Sequence, residues 1–304
     1  MRRHLGTIID RYRPDLIHTN HIWLVSALLP DLAPGIPLTA TCHATGLRQM
    51  DLCPHLRDEV VAGCRRIDRF CVLRHDHREQ LADTLAIDAD RVTVTGVGFQ
   101  EEVFFQGDSA GNKERRGSLL YVGKYSNAKG LPWLLDAVEK LAVRRPNLRL
   151  HVAGSGAGAE ADGLRERMDA LAPLVIRHGQ LGQEDLAALM RRCAVCVLPS
   201  FYEGVPLVLV EAAACGCRLV STALPGVVEQ IVPGFGAELA LVPLPRLRNV
   251  DRPVAADLPR FTAALGQALA LSLDRTEKAS TLDLGPFTWG AVFKRVEAVW
   301  KQLL

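Results

Sequence analysis

The chain has 304 residues, 48% of them apolar and 23% charged, with a formal net charge of only +2. This is long for one hydrophobic core and predicts two domains. The near-zero charge balance gives no basic signature for nucleic acid, and no run of 18 apolar residues offers a membrane-spanning helix.

The opening "MRRHLGTIIDRYRPDL" has basic flanks without a long apolar stretch, so it is not a secretory leader. Read as a helix, it places Leu5, Ile8, Ile9 and Tyr12 on one face. That face suits a core contact or, with the flanking arginines, peripheral contact with a membrane surface. Short apolar runs then alternate with helical patterns. Strands are expected at 15–20, 37–43, 69–73 and 91–98, and helices at 21–32, 55–67 and 75–85. The glycine-rich, charged stretch "GDSAGNKERRG" (107–117) has no apolar periodicity and reads as the link between domains. The alternation restarts after it, with strands at 118–123, 148–154, 174–179, 194–200 and 218–222. Helices are expected at 131–145, near 159–171 and at 183–193, with another starting at 226 and one long amphipathic helix over 286–304. Alternating units of this size predict α/β domains with parallel sheets covered on both faces. The expected division is 1–107, a linker at 108–117, a second domain at 118–285 and a terminal helix at 286–304.

Eight cysteines are scattered among apolar residues. Without a secretion signal they read as reduced, mostly buried thiols, consistent with a cytoplasmic protein. Cys193 and Cys196 form a C-x-x-C that runs into a buried strand. The group Cys42, His43, Cys53 and His55 matches no zinc spacing, so no metal site is expected.

The stretch "PSFYEGVPLVLVEAAACGC" (199–217) is almost wholly apolar yet carries Glu203 and Glu211, with seven residues between them. A strand ends near Ser200 and a helix begins near Pro206, where proline suits the first turn. The loop between them sits at the carboxyl end of a parallel strand, where open α/β sheets bind ligands. The backbone of Gly204, Val205, Pro206 and Leu207 brings a helix start into that crevice, which favours an anion. Glu211 lies about five residues into the helix, roughly 7 Å along it. One carboxylate can therefore sit at each end of a ligand, accepting hydrogen bonds from pairs of hydroxyls. In isolation the two residues would sooner read as a solvated loop charge and a helix-surface residue.

The wider context resembles one family. "EGVPLVLVEAAACGCRLVST" (203–222) is similar to the E-x7-E signature of the retaining glycosyltransferases of family 4, whose architecture is GT-B, two Rossmann-like domains. Cys217 and Arg218 replace the family's usual apolar–proline step. "YVGKYSNAKGLPWLLDAV" (121–138) resembles the family segment that clamps the donor diphosphate, with Lys124 and Lys129 after a strand. "HVAGSGAG" (151–158) lacks dinucleotide-fingerprint spacing but matches the family's G-x-G at Gly154, where the backbone helps shape the nucleotide pocket. "HGQLGQEDLAALM" (178–190) resembles the segment that meets the base, around Gln180 and Leu181. "TCHATGLRQM" (41–50) resembles the region whose histidine, here His43, contacts the donor sugar. His21 lies near another strand end. "VTGVGFQEEVFF" (94–105) resembles the stretch before the linker, and "FTWGAVFKRVEAVW" (287–300) the last helix, which in the family packs back on the first domain.

The resemblance implies a nucleotide-diphosphate sugar as donor substrate and no bound cofactor or metal. It assigns Glu203, His43 and Lys129 to the reacting sugar and leaving group, and Glu211 to the ribose. The acceptor, whether small molecule, glycan or lipid-linked, is not readable, nor is the base. The likeness begins late: about one βαβ unit of the family's first domain is not represented, so a shortened first domain is expected. That shortening keeps two other readings open, a non-catalytic sugar-nucleotide-binding scaffold and a GT-B epimerase or hydrolase.

Overall fold

A computed structural model describes residues 1–43, 45–107, 116–235, 238–275 and 282–304. The chain forms two compact units, one of Met1–Gly98 with Pro286–Leu304 and the other of Phe99–Gly285.

The first unit holds a four-stranded parallel sheet in the order β1-β2-β3-β4, built from Ile17–Asn20, Leu38–Cys42, Arg69–Val72 and Val92–Val94. All five residues of β2 are buried, as expected of an inner strand covered on both faces. The helices are α1 (Arg2–Tyr12), α2 (Leu24–Leu32), α3 (Thr45–Leu52), α4 (Pro54–Cys64) and α5 (His75–Leu85). The core gathers Ile22, Leu29, Met50, Val60, Phe70 and Leu81. Ile9 of α1 packs against this core, whereas Ile8 and Tyr12 are exposed.

The second unit holds a six-stranded parallel sheet in the order β10-β9-β8-β5-β6-β7. Its strands are β5 (Ser118–Val122), β6 (Arg149–Ala153), β7 (Val175–Gly179), β8 (Val195–Leu198), β9 (Arg218–Thr222) and β10 (Leu239–Val242). Its helices include α6 (Leu131–Ala142), α7 (Ala159–Ala170), α8 (Gln183–Arg192), α9 (Leu207–Ala214), α10 (Pro225–Gln230), α11 (Val232–Phe235) and α12 (Leu258–Asp274). The strand order reverses direction between β5 and β8, because the chain builds outward through β6 and β7 before returning to the other side of β5.

Several boundaries differ from expectation. The expected domain end at 107 moves to Gly98, because Phe99 and Phe104 are buried and Arg191 of α8 donates to the Val103 carbonyl and lies over the Phe105 ring. Most of the expected linker, 108–115, lies outside the described residues. The expected helix over 286–304 shortens to α13 (Trp289–Trp300), preceded by a 3-10 turn at Gly285–Phe287 and capped by the Thr288 hydroxyl accepting from the Ala291 N–H. Helix α13 belongs to the first unit: the Trp300 indole N–H donates to His18 Nδ1 of β1 at 2.9 Å, and Arg295 donates to the Thr95 carbonyl at 2.8 Å. Four elements went unread, α3, α11, β10 and α12. Helix α12 buries Phe261, Leu265 and Leu269 at four-residue spacing in the core of the second unit, one stripe of an amphipathic helix.

Candidate functional site

In the second unit the chain leaves β5 and β8 in opposite directions, which opens a crevice at their carboxyl ends. Ligands of open α/β sheets bind at such reversals. Beside it lies a cavity of about 520 Å³, lined by 122–124 at the end of β5, 153–157 at the end of β6, Gln180 and Leu181 after β7, and Leu186 of α8. Lys124 and Gly154 are both part of this lining. Two backbone features shape it. Gly154 has φ +134°, and a Cβ there would run into the Gly123 carbonyl, so the β5 and β6 loops approach as closely as only glycine allows. The buried Tyr121 hydroxyl donates to the Lys124 carbonyl at 2.7 Å, which pins the Lys124 backbone while its side chain stays exposed.

Lys129 and Glu203 meet across the two diverging loops. Lys129 ends a 3-10 turn at Asn127–Lys129, and Glu203 lies in the loop between β8 and α9. The loops are zipped together by the Phe201 N–H donating to the Ala128 carbonyl at 2.9 Å. Gly130, at φ +71°, lies so close to the Pro199 carbonyl that a Cβ would collide with it. Phe201 is anchored between Trp133 of α6 and Phe261 of α12. On this frame the Lys129 ammonium pairs with Glu203 Oε1 at 2.7 Å and donates to the Tyr202 carbonyl at 3.4 Å. The Ser200 hydroxyl, wholly buried, donates to the same Oε1 at 2.8 Å. Sequence reasoning assigned nothing to Ser200 or Tyr121. The only signal for Ser200 was its place in the "PS" ahead of Glu203.

Glu211 is the fifth residue of α9 and is half-buried. Burial pushes its carboxyl from the ordinary 4.5 up to about 6, and its carboxylate makes no hydrogen bond or ion pair among the described residues. A half-buried carboxylate without a donor is an acceptor in want of hydroxyls. The helix starts one residue later than expected, with Pro206 as its cap in extended conformation and Leu207 as its first residue. Gly204 is exposed, and a side chain there would meet nothing within 4 Å.

His43 follows β2 on the first unit, so it shares no unit with Glu203 and Lys129. Its Nε2 donates to Asn20 Oδ1 at 3.0 Å, and its ring lies 4.8 Å from that of His21, which hydrogen-bonds Thr45. Burial, and then His21, lower its pKa, so the ring is neutral near pH 7. His18 is also lowered, by burial and then by His43. Because the Trp300 indole can only donate, His18 Nδ1 is the acceptor and Nε2 carries the proton toward Thr41 Oγ1 at 2.7 Å.

None of the eight cysteines forms a disulfide, and seven are buried, Cys53 being the half-buried exception. Among the described residues no three His, Cys, Asp or Glu side chains are grouped to hold a metal ion, and no helix is long and apolar enough to cross a membrane.

With this geometry in place, the likeness to known proteins is informative. Residues 1–102 match the family described as Glycosyltransferase Family 4, and residues 116–246 match that described as Glycosyl transferases group 1. The D-inositol 3-phosphate glycosyltransferase of Frankia alni is 30% identical over 253 residues, covering 74% of this chain and 61% of that protein. The glycogen synthase of Mycobacterium tuberculosis is 30% identical over 243 residues, covering 76% of this chain and 57% of that protein. The chain thus spans only 61% and 57% of the length of these two curated relatives. Among solved structures, Anabaena HepE in complex with UDP and glucose superposes with a TM-score of 0.70 at 18% identity, covering 99% of this chain and 81% of that one. Sucrose-phosphate synthase from Thermosynechococcus elongatus gives 0.66 at 20% identity, covering 99% and 77%. The fold is therefore the GT-B one, two parallel-sheet α/β domains.

Proposed function

We propose that this chain is a retaining glycosyltransferase that takes a nucleotide-diphosphate sugar on its second unit and needs no metal. The observation that carries the proposal is Glu211, a half-buried carboxylate that makes no hydrogen bond or ion pair among the described residues, one helical turn from the loop that presents Glu203. A ribose supplies the two hydroxyl donors such a group lacks. Lys124, in the cavity wall, and Lys129 take the diphosphate, together with the backbone of Gly204, Val205, Pro206 and Leu207 at the start of α9. Gly154 lets the pocket wall approach the nucleotide, and Gln180 and Leu181 border the base. Glu203 orients the sugar hydroxyls. His43 is assigned to the donor sugar by the family resemblance alone.

Charge that develops on the leaving diphosphate is offset by the two lysines and the helix start, which is the reason to propose metal independence. Retention follows from the family resemblance: the acceptor hydroxyl attacks from the face the diphosphate leaves. The acceptor belongs to the class of small molecules, glycans or lipid-linked sugars. For a lipid-linked one, α1 with Arg2, Arg3, Arg11 and the exposed Ile8 and Tyr12 is proposed to rest on an anionic membrane surface, on the cytoplasmic side.

The test is calorimetry with UDP, GDP and ADP and their glucose conjugates, in chelator, followed by product analysis. UDP compounds head the panel because HepE is seen with UDP and glucose. Transfer with retained anomeric configuration supports the proposal. Donor hydrolysis alone favours the hydrolase reading, binding without turnover the scaffold reading, and turnover restored only by a divalent ion removes metal independence.

A further inference from the structure

Two donors converge on one oxygen. Lys129 Nζ and Ser200 Oγ both reach Glu203 Oε1, at 2.7 and 2.8 Å. They differ in freedom. The Ser200 hydroxyl is wholly buried on a short segment after β8 and reaches Glu203 three residues on, so it is fixed to the same loop. The Lys129 ammonium comes from another loop, on a four-carbon stem with 28% of its side chain exposed, against 18% for Glu203. A lysine can swing without any backbone change, because its charge is carried at the end of a flexible chain. The zipper of Phe201 to Ala128 and the close approach of Gly130 to Pro199 hold the two loops in register while it does so.

In this structure the lysine proposed for the diphosphate is therefore already paired with the carboxylate proposed for the sugar. A diphosphate that takes Lys129 strips a charge-assisted bond from a largely buried Glu203, which is costly unless a donor replaces it. A sugar hydroxyl is such a donor. The bare nucleoside diphosphate is not. We infer that Lys129 changes partner in the reaction cycle, from Glu203 before the donor binds to the diphosphate in the donor complex, and that Ser200 is the positioning residue holding Glu203 while a sugar hydroxyl replaces the lysine. This rests on the nucleotide-sugar reading of the site. It has a consequence for turnover. Once the sugar has left, Glu203 loses its hydroxyl donor and draws Lys129 back, which loosens the spent nucleoside diphosphate.

The experiment measures inorganic pyrophosphate binding in chelator by calorimetry, because pyrophosphate carries neither base nor sugar. The proteins are the full chain, Glu203→Gln, Ser200→Ala and the double variant, each checked for folding by circular dichroism. UDP, GDP, ADP and their glucose conjugates are titrated in parallel. Glu203→Gln frees Lys129, so pyrophosphate should bind about fivefold tighter than to the parent, the worth of a partly exposed ion pair. Ser200→Ala leaves Glu203 more dependent on Lys129, so pyrophosphate should bind more weakly than to the parent. In the Glu203→Gln background, Ser200→Ala should change nothing. A merely structural Ser200 would lower affinity equally in both backgrounds, and that result overturns its positioning role. Unchanged or weaker pyrophosphate binding by Glu203→Gln, or no binding by any variant, overturns the partner exchange. If pyrophosphate behaves as expected and no nucleotide or conjugate binds, the exchange stands and the nucleotide-sugar reading falls.

Discussion

Replacing Glu211 with glutamine should make the protein more stable and the donor site weaker, and both effects should be larger near pH 7.5 than near pH 5. Burial lifts the Glu211 carboxyl from 4.5 to about 6 in the folded chain. A carboxyl raised on folding stabilises the native state below its unfolded pKa, and that contribution is lost as pH rises through the folded value. The neutral glutamine does not suffer this loss. Glu211→Gln should thus be more stable than the parent by about 2 kcal/mol near pH 7.5 and by less than half of that near pH 5. Urea unfolding of the two proteins at both pH values measures it. Nucleotide binding runs the other way. Ribose hydroxyls donate to the ionised carboxylate, so Glu211→Gln should bind the nucleotide on the order of tenfold more weakly near pH 7.5. The parent itself should lose about tenfold between pH 7.5 and pH 5 as Glu211 takes up its proton, while the variant's affinity stays flat. A stability difference that does not change with pH, or parent affinity flat over that range, would refute the reasoning that a buried, donorless Glu211 receives the ribose.

Four further outcomes are expected. Gly154→Ala should destabilise the second unit by about 2–4 kcal/mol, combining the strained φ with the clash on the Gly123 carbonyl, whereas Gly204→Ala should stay within about 0.5 kcal/mol, and thermal melts compare them. Lys124→Ala should weaken nucleoside diphosphate binding about fivefold at low salt and less at high salt, since the side chain is an exposed charge in the cavity wall; titrations at two ionic strengths read this. Trp300→Phe should cost about 1 kcal/mol near pH 7.5 through its lost bond to His18, measured by melting. His18, His43 and His77 are all lowered in the first unit, so the unfolded chain takes up protons first. Stability of that unit, full above the ordinary 6.5, should therefore fall as pH drops below it, and melting that is unchanged down to about pH 5.5 would contradict this.

The alternation of short apolar runs with helical patterns was enough to read two parallel α/β units, because inner strands such as "VCVL" of β8 are buried on both faces and carry no polar alternation. The glutamates 203 and 211, the lysines 124 and 129 and the glycine at 154 could be named as candidates for a local reason: in each stretch a strand end, a loop and a helix start follow one another in sequence. Helix α12 shows the opposite limit. Its Phe261, Leu265 and Leu269 stripe was there to be read, but only packing gives it a place, in the core of the unit. The boundary at Gly98 was likewise decided by where Phe99 and Phe104 find apolar cover, not by the glycine-rich stretch after them.

What only the tertiary structure decided is which side chains meet. Residues 129 and 203 are far apart in the chain, and nothing local brings an ammonium to a carboxylate. The crossover that places β8 beside β5 does so, and the Pro199 carbonyl fitting against Gly130 sets the distance. The same holds for Ser200, which reads as one more small residue at a strand end until its buried hydroxyl is seen on Glu203. Burial had the last word on Glu211. Sequence marks it as a charge on an apolar helix, but its raised pKa and lack of a donor arise from the packing around α9, since the cost of an ionised group depends on the water that folding removes from around it.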